Sequence, residues 1–302
     1  MHTATLTLLP PTISSSPSFL DALAATRNLG ERPVLHWRDL RSVNTAYDLI
    51  GDVHSCGDEL GELLELLGYR ITWAQEHGER VACITPPAGR KVILLGDLLD
   101  RGPKAADTLR IAMAIVAQDC GYILMGNHDF LFTIGILGSP QPIHADAAQT
   151  ISQLAHESAQ FFWNLRDMFS DLPTYLWLDE GRLCVSHAGL RADLLGSSSA
   201  EAHNHAIYGN EPARNATRTY DPKLHWAASY TGETTMAYGH FRLQDALWVN
   251  NTICLDTACV YGGKLSALRW PERDIVSVPA HAQYTKAPLR GRCIPPGTSL
   301  FY

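Results

Sequence analysis

Five short stretches each set a carboxylate, amide or imidazole side chain just beyond an apolar run. They are GDVH with Asp52 and His54, GDLLDRG with Asp97, Asp100 and Arg101, GNHD with Asn127 and His128, SHAG with His187, and YGHF with His240. Carboxylate oxygens, an amide oxygen and neutral imidazoles form a mixed oxygen and nitrogen donor set, which suits Mn, Fe, Zn or Ni rather than thiolate-seeking metals. One carboxylate lying between two such ions would let a single cleft hold both. Ions about 3.5–4 Å apart can clamp the attacking and leaving oxygens of an in-line displacement at phosphorus and lower the pKa of a water between them. A lone Asp-x-His or Asn-His pair is more often a turn or a satisfied structural group. Five in order, each after an apolar run, make a much stronger signal.

The elements that must position these residues are legible as strand, loop and helix. AYDLIGDVH leads to DELGELLELLGY, where Leu60, Leu63, Leu64 and Leu67 form one helical stripe closed by Gly68, with Asp58 as the expected N-cap. KVILLGD leads to PKAADTLRIAMAIVAQ, with Pro103 suited to a first helical turn, and GYILMGNHD leads to another apolar helix. Three such units predict an α/β sheet whose strand ends carry the working loops. Residues 139–172 read as a helical insertion expected to cap the site. LWLDEGRLCVSHAGL reads as a hairpin, and MAYGHF, ALWVNNTICLDTACV and KLSALRWPERDIVSV as short strands of a second, largely antiparallel sheet. The expected division is an irregular lead-in over residues 1–44, a main domain over 45–279 and a tail over 280–302.

Composition bounds the partners. A chain of 302 residues with 46% hydrophobic content can bury a sizeable core. Its net charge of -7 offers no broad basic surface for nucleic acid, so such a ligand would have to be gripped locally. The 7 cysteines lack C-x-x-C pairing and mostly fall in apolar runs, the pattern of buried thiols in a reducing compartment. No apolar run is long enough to span a bilayer and the N-terminal stretch lacks a basic start, so the expected location is cytoplasmic. Nothing in the sequence fixes the oligomeric state.

The blocks GD-x-H, GD-x-x-DRG and GNHD resemble the calcineurin-like metallophosphoesterases, in the branch that includes protein Ser/Thr phosphatases and diadenosine tetraphosphatases. GDVHSCGDELGELLELLGY, WAASYTGETTMAYGH and LWVNNTICLDTACVYGGKLSALRWPERDIVSV are most similar to the phosphatase module of bacterial polynucleotide kinase-phosphatase, over roughly residues 46–279. The resemblance implies an α/β sandwich of two mixed β-sheets flanked by helices. It also implies two divalent metal ions, Mn2+ first among Fe, Zn and Ni, and in-line attack by a hydroxide bridging them. Asp52, His54 and Asp97 would hold one metal, and Asp97, Asn127, His187 and His240 the other. His128 would protonate the leaving oxygen, with Asp100 orienting it and Arg101 holding phosphate oxygens. Asp256 matches an active-site aspartate of that module. The expected substrate is a phosphorylated small molecule, a nucleotide or a nucleic-acid end. A protein Ser/Thr phosphatase, a dinucleoside polyphosphate hydrolase and a non-catalytic binding protein on the same fold stand as alternatives.

The sequence departs from the family pattern where Ser55 and Ala258 replace glycines, Phe241 replaces a threonine, and Arg242 stands where distant members place a metal-binding histidine. Further candidates carry ordinary alternatives. Trp226, Tyr230 and Tyr208 could wall a base pocket or belong to the core. Arg191, Arg214 and Arg218 could contact a second phosphate or be solvated. His203 and His205 read as a solvated or helical surface rather than a metal pair, and His144 and His156 as ordinary surface or packing histidines. Gly262–Lys264 lacks the flanking residues of a phosphate loop, which removes kinase chemistry from this chain.

Overall fold

The computed structural model describes residues 34–136, 145–209 and 226–286. In chain order the strands and helices are β1 (Arg38–Leu40), β2 (Ala46–Ile50), α1 (Gly57–Leu66), β3 (Arg70–Glu76), β4 (Glu79–Thr85), β5 (Arg90–Leu94), α2 (Ala105–Ala117), β6 (Gly121–Ile123) and α3 (Asn127–Ile136). There follow α4 (Ala145–Leu154), α5 (Ala159–Ser170), β7 (Tyr175–Leu178), β8 (Leu183–Ser186), α6 (Ala200–Tyr208), β9 (Thr235–Tyr238), β10 (Leu247–Val249), β11 (Thr252–Cys254), β12 (Lys264–Trp270) and β13 (Asp274–Pro279). Two mixed sheets result, with strand orders β13-β12-β2-β5-β6 and β1-β7-β8-β9-β11-β10.

Strands β2 and β5 carry apolar side chains on both faces because both faces are covered. Tyr47, Leu49, Ile93 and Leu95 meet Leu176, Leu178, Val185 and Ile253 of the second sheet. Ile50, Val92 and Leu94 turn the other way, onto a core shared with Leu60, Leu63, Leu64 and Leu67 of the α1 stripe and with Leu109, Ala112 and Ile115 of α2. Alternation along one strand therefore serves two layers at once. The loops that leave β2 and β5 emerge side by side, because these strands pair in parallel with Ile50 opposite Leu94.

Several expectations are corrected. The last hairpin, β12 and β13, joins the first sheet through antiparallel pairing of β12 with β2. The second sheet is not largely antiparallel: β1–β7, β8–β9 and β9–β11 are parallel pairs, and only β7–β8 and β10–β11 run antiparallel. The lead-in contributes β1 as an edge strand, and the tail begins with a packed turn in which Glu59 accepts from His281 N and Tyr284 Oη, each at 2.8 Å. An unforeseen hairpin, β3–β4, follows α1. Asp58 lies inside the first turn of α1 rather than capping it; Cys56 is at the cap and makes no side-chain capping bond. Of the cysteines within the described residues, Cys56, Cys120, Cys184, Cys254 and Cys259 are buried free thiols, Cys83 is half-buried, and none is paired. No described helix is long and apolar enough to cross a membrane.

A buried charge cluster pins the first sheet. The fully enclosed Asp48 accepts from Arg90 Nη2 at 2.8 Å, Arg269 Nε at 3.1 Å and Tyr69 Oη at 3.0 Å, joining β2, β5, β12 and the end of α1. Removing one partner of a buried pair leaves the other charge uncompensated. Asp48→Ala should therefore lower unfolding stability by about 3 kcal/mol in urea titration. A loss below about 1 kcal/mol would mean that Glu272, which also pairs with Arg90, suffices alone.

Candidate active site

The loops after β2, β5, β6, β8, β9 and β11 converge on one cleft of about 170 Å³, walled by Asp52, His54, Asp97, Asn127, His128 and His240, with Arg101, Arg242, Asp256 and Tyr261 completing it. His187 lies just behind, fully buried, its Nε2 3.0 Å from Asn127 Oδ1 and 3.2 Å from His240 Nδ1. His240 Nδ1 is in turn 2.9 Å from Asn127 Oδ1. His187 Nδ1 donates to Leu95 O at 2.9 Å, which leaves its Nε2 as a lone pair. Lone-pair atoms gathered at such mutual distances match the edges of a coordination shell with ligands at about 2.0–2.2 Å from a divalent cation. This donor set fits a metal.

His54 shows the same polarity. Its Nδ1 donates to Leu99 O at 2.9 Å, and its Nε2 lies 3.5 Å from Asp97 Oδ2. The other carboxylate oxygen, Asp97 Oδ1, lies 3.5 Å from His187 Nε2. Asp97 thus belongs to two clusters, with His54 and His128 on one side and with His187 and His240 on the other, each with donor atoms within 4.8 Å of one another.

Charge and burial tune these groups. Burial, aided by the Arg101 guanidinium, holds His54 well below the ordinary histidine value, and burial lowers His187 to about 4. Both rings therefore stay neutral, as ligands must. Burial works against ionisation of Asp97, but the surrounding His187, His128, His54 and His240 outweigh it and hold the carboxyl low. Asp52 is pushed the other way by burial and by the charges of Asp256 and Asp97. A cation between these carboxylates would relieve that repulsion.

Backbone donors fix the carboxylates. His128 N donates to Asp97 Oδ1 at 2.9 Å, and His240 N donates to Asp52 at 3.0 and 3.1 Å. Close approach needs glycine: a Cβ on Gly126 would sit 2.1 Å from Asp97 N, and one on Gly239 2.0 Å from Asp52 Oδ1. Elsewhere the loops accept left-handed backbone without glycine, at His54 (φ 44°), Ser55 (56°), Asp97 (47°), Asp100 (74°), Arg101 (70°), His240 (67°) and Ala258 (61°). Such strain concentrates where side chains must be aimed. Ser55 and Ala258 thus adopt the left-handed backbone that glycine would take at lower cost.

His128 Nδ1 donates to Asp100 Oδ2 at 2.6 Å, and Thr150 Oγ1 from α4 donates to Asp100 Oδ1 at 2.7 Å. Arg101 is not tied to Asp100. Its Nη1 donates to His54 Nε2 at 2.8 Å, its Nη2 to His128 Nε2 at 2.7 Å, and its Nε to Asp146 at 3.2 Å. Asp256 Oδ1 accepts from Ala258 N at 3.0 Å, and burial raises its pKa.

Some sequence candidates lie elsewhere. Trp226 and Tyr230 are core residues, packed with Tyr238 and Met236 behind the second sheet, with ring centroids of Trp226 and Tyr238 4.9 Å apart. Arg191 is on the surface, bonded to Asp193 and Glu201. His203 and His205 are helical but buried, bonded through Nδ1 to Thr174 Oγ1 at 2.8 Å and to Gly189 O at 3.2 Å. Tyr208 packs partly buried on the first core, and His156 is exposed. His144, Arg214 and Arg218 fall outside the described residues.

Four contributors were missed by reading the sequence. Asp129 is fully buried and accepts from Leu98 N at 3.0 Å and Gly126 N at 3.2 Å, tying the second and third loops together. Its place as the fourth residue of GNHD was an available signal. Thr150 and Asp146, on α4, carried none. Tyr261 was readable only as the residue before GGK.

Comparison with known proteins agrees with this geometry. The calcineurin-like phosphoesterase family model matches residues 47–248. The chain belongs to that family, and is a phosphoesterase of the hydrolase class. It is 32% identical over 249 residues to a bis(5'-nucleosyl)-tetraphosphatase PrpE [asymmetrical] from Anoxybacillus flavithermus, covering 81% of this chain and 98% of that one. It is also 32% identical over 250 residues to the Bacillus subtilis protein of the same name, covering 81% and 99%. A crystal structure provisionally assigned as a diadenosine tetraphosphatase superposes with a TM-score of 0.56 at 21% identity, over 82% of this chain and 98% of that one, which supports the fold.

Replacing the shared carboxylate should expose its role. Asp97→Asn keeps the shape but not the charge, and metal analysis of the purified variant should find less than about a tenth of the wild-type transition-metal content. Wild-type content in Asp97→Asn would refute Asp97 as a ligand common to both clusters.

Proposed function

We propose that the chain hydrolyses phosphate linkages of nucleotides, with dinucleoside tetraphosphates as the leading substrates and cleavage asymmetric, as in the names of its relatives. The observation that carries the reading is the position of Asp97 between two converging sets of histidines, the arrangement a pair of divalent cations requires. The mixed oxygen and nitrogen, thiolate-free set suits Mn2+, with Fe, Zn or Ni able to substitute. Such ions, when bound, would lower the pKa of a water between them and neutralise charge on the phosphoryl group.

The remaining roles belong to the chain's own side chains. Asp52, His54 and Asp97 would form one metal site, and Asp97, Asn127, His187 and His240 the other. Arg101, with two N–H groups pointed into the cleft, would hold non-bridging phosphate oxygens by charge-assisted bonds. His128 would donate a proton from Nε2 to the leaving oxygen, while Asp100 holds Nδ1–H and steadies the imidazolium form. Asp256, 4% exposed and lining the cleft, would orient the water or a ligand-bearing loop. The cytoplasm, where nucleotides are abundant, fits this substrate.

A phosphate leaving from a tetraphosphate is a good leaving group; an alkoxide leaving from a nucleoside monophosphate is a poor one. Proton donation by His128 therefore matters most for the second. His128→Ala should keep its metal while kcat falls about 10²–10⁴-fold on nucleoside monophosphates, with a smaller fall on diadenosine tetraphosphate. Equal losses on both would remove the general-acid assignment.

The class itself is tested with manganese and a panel of dinucleoside polyphosphates, nucleotides, phosphorylated RNA ends and phosphopeptides. Highest kcat/KM is expected on a dinucleoside tetraphosphate. Preference for phosphopeptides, or silence on every nucleotide, would overturn the proposal.

A further inference from the structure

Past His240 the chain steps alternately in and out of the cleft. His240 faces in, Phe241 turns away to pack on Tyr238 with ring centroids 6.2 Å apart, and Arg242 returns to the cleft wall. Arg242 lies where the family pattern gives no phosphate ligand, so its chemistry must be read from its surroundings.

Those surroundings are unusual for a partly buried arginine. Nη1 of Arg242 is enclosed and has no hydrogen-bond partner among the described residues. The described residues give Arg242 no ion pair either, although its charge helps to counter the upward push of burial on Asp256. Its guanidinium rests on the Tyr261 ring, Cζ 4.6 Å from the centroid, and the same ring lies 5.8 Å from Cζ of Arg101. One phenol thus contacts two guanidinium groups that both line the cleft. A desolvated N–H without an acceptor costs free energy. An anion reaching both groups would remove that penalty and pair with both charges.

We infer that Arg242 is a second phosphate anchor, so that the cleft takes a phosphoanhydride chain, with Arg101 on the phosphate being cleaved and Arg242 on the one adjoining it. The inference rests on the nucleotide phosphoesterase reading above and narrows it to substrates with two or more linked phosphates. Arg101 takes the cleaved position because it also reaches His128. A merely structural Arg242, shielding Asp256, would matter equally for every substrate.

The experiment uses the full chain loaded with manganese, as wild type, Arg242→Gln and Arg242→Lys. For Arg242→Gln, the ratio of kcat/KM on diadenosine tetraphosphate to that on p-nitrophenyl phosphate should fall about tenfold to hundredfold, the loss of one charge-assisted hydrogen bond. The loss should lie mainly in KM, and Arg242→Lys should recover part of it. Calorimetric titration with inorganic tripolyphosphate and with orthophosphate gives the same discrimination without turnover: the ratio of their affinities should fall by a similar factor. An unchanged ratio in both assays overturns the inference, whether the two substrates suffer equally or not at all. If the wild type cleaves no nucleotide, the proposed function fails, while the tripolyphosphate titration still decides the role of Arg242.

Discussion

A carboxylate carried into the interior is the constraint on which the rest of this molecule depends. Asp97 is 2% exposed, and Asp52, Asp100, Asp129 and Asp256 are buried close by. Leaving such charges unpaired would cost several kcal/mol each, and their mutual repulsion adds to that. The fold answers with backbone amides. The loop after β6 donates to Asp97, the loop after β9 donates to Asp52, and Asp129 collects amides from two loops. The loops after β5, β6 and β9 are each held by a carboxylate of another loop, so displacing Asp52, Asp97 or Asp129 would disturb a second loop.

This cross-bracing explains why the backbone is strained where it is. Of the non-glycine residues with left-handed backbone, His54, Ser55, Asp97, Asp100, Arg101, His240 and Ala258 lie at or beside the candidate ligands. The two sheets absorb the cost, because β2 and β5 are packed on both faces and cannot shift to relax their exits. Thr150 and Asp146 extend the brace outward: α4 holds Asp100 and Arg101 from above, which is how the helical insertion serves the site.

The apolar strands with charged exits were legible in the sequence because both signals are local. Val92–Leu95 alternates between two covered faces, and Asp97 follows directly. The candidate ligands converge as their blocks implied. Strand partners were less legible: β12 and β13 look like part of the later sheet, and only their long-range pairing with β2 places them in the first. Aromatic and cationic residues were least legible. Trp226 and Tyr230 differ from cleft aromatics only by which side of a sheet they face. Arg191 differs from Arg242 only in having Asp193 and Glu201 within reach. His203 and His205 sit in a polar stretch, yet helix α6 turns both inward. Spacing along a chain does not encode these choices.

Arg101 links the site's two conditions. Its guanidinium donates to His54 Nε2, the lone pair that metal binding would need on the proposed roles, and to His128 Nε2, the atom that would have to carry a proton instead. One lone pair cannot serve a guanidinium and a cation together. A cation held by His54 would therefore displace Arg101 from that ring, and its tether to Asp146, with the Tyr261 ring beside it, would limit where it could go. On the proposed roles the freed N–H groups would remain within the same cleft, where phosphate oxygens of a substrate would supply the acceptors lost from the histidines. On the proposed roles, a single side chain would hold His54 neutral and both rings aligned before the cations arrive, and would grip the substrate after them. The charge that the sequence places beyond an apolar strand would then work through this exchange of partners.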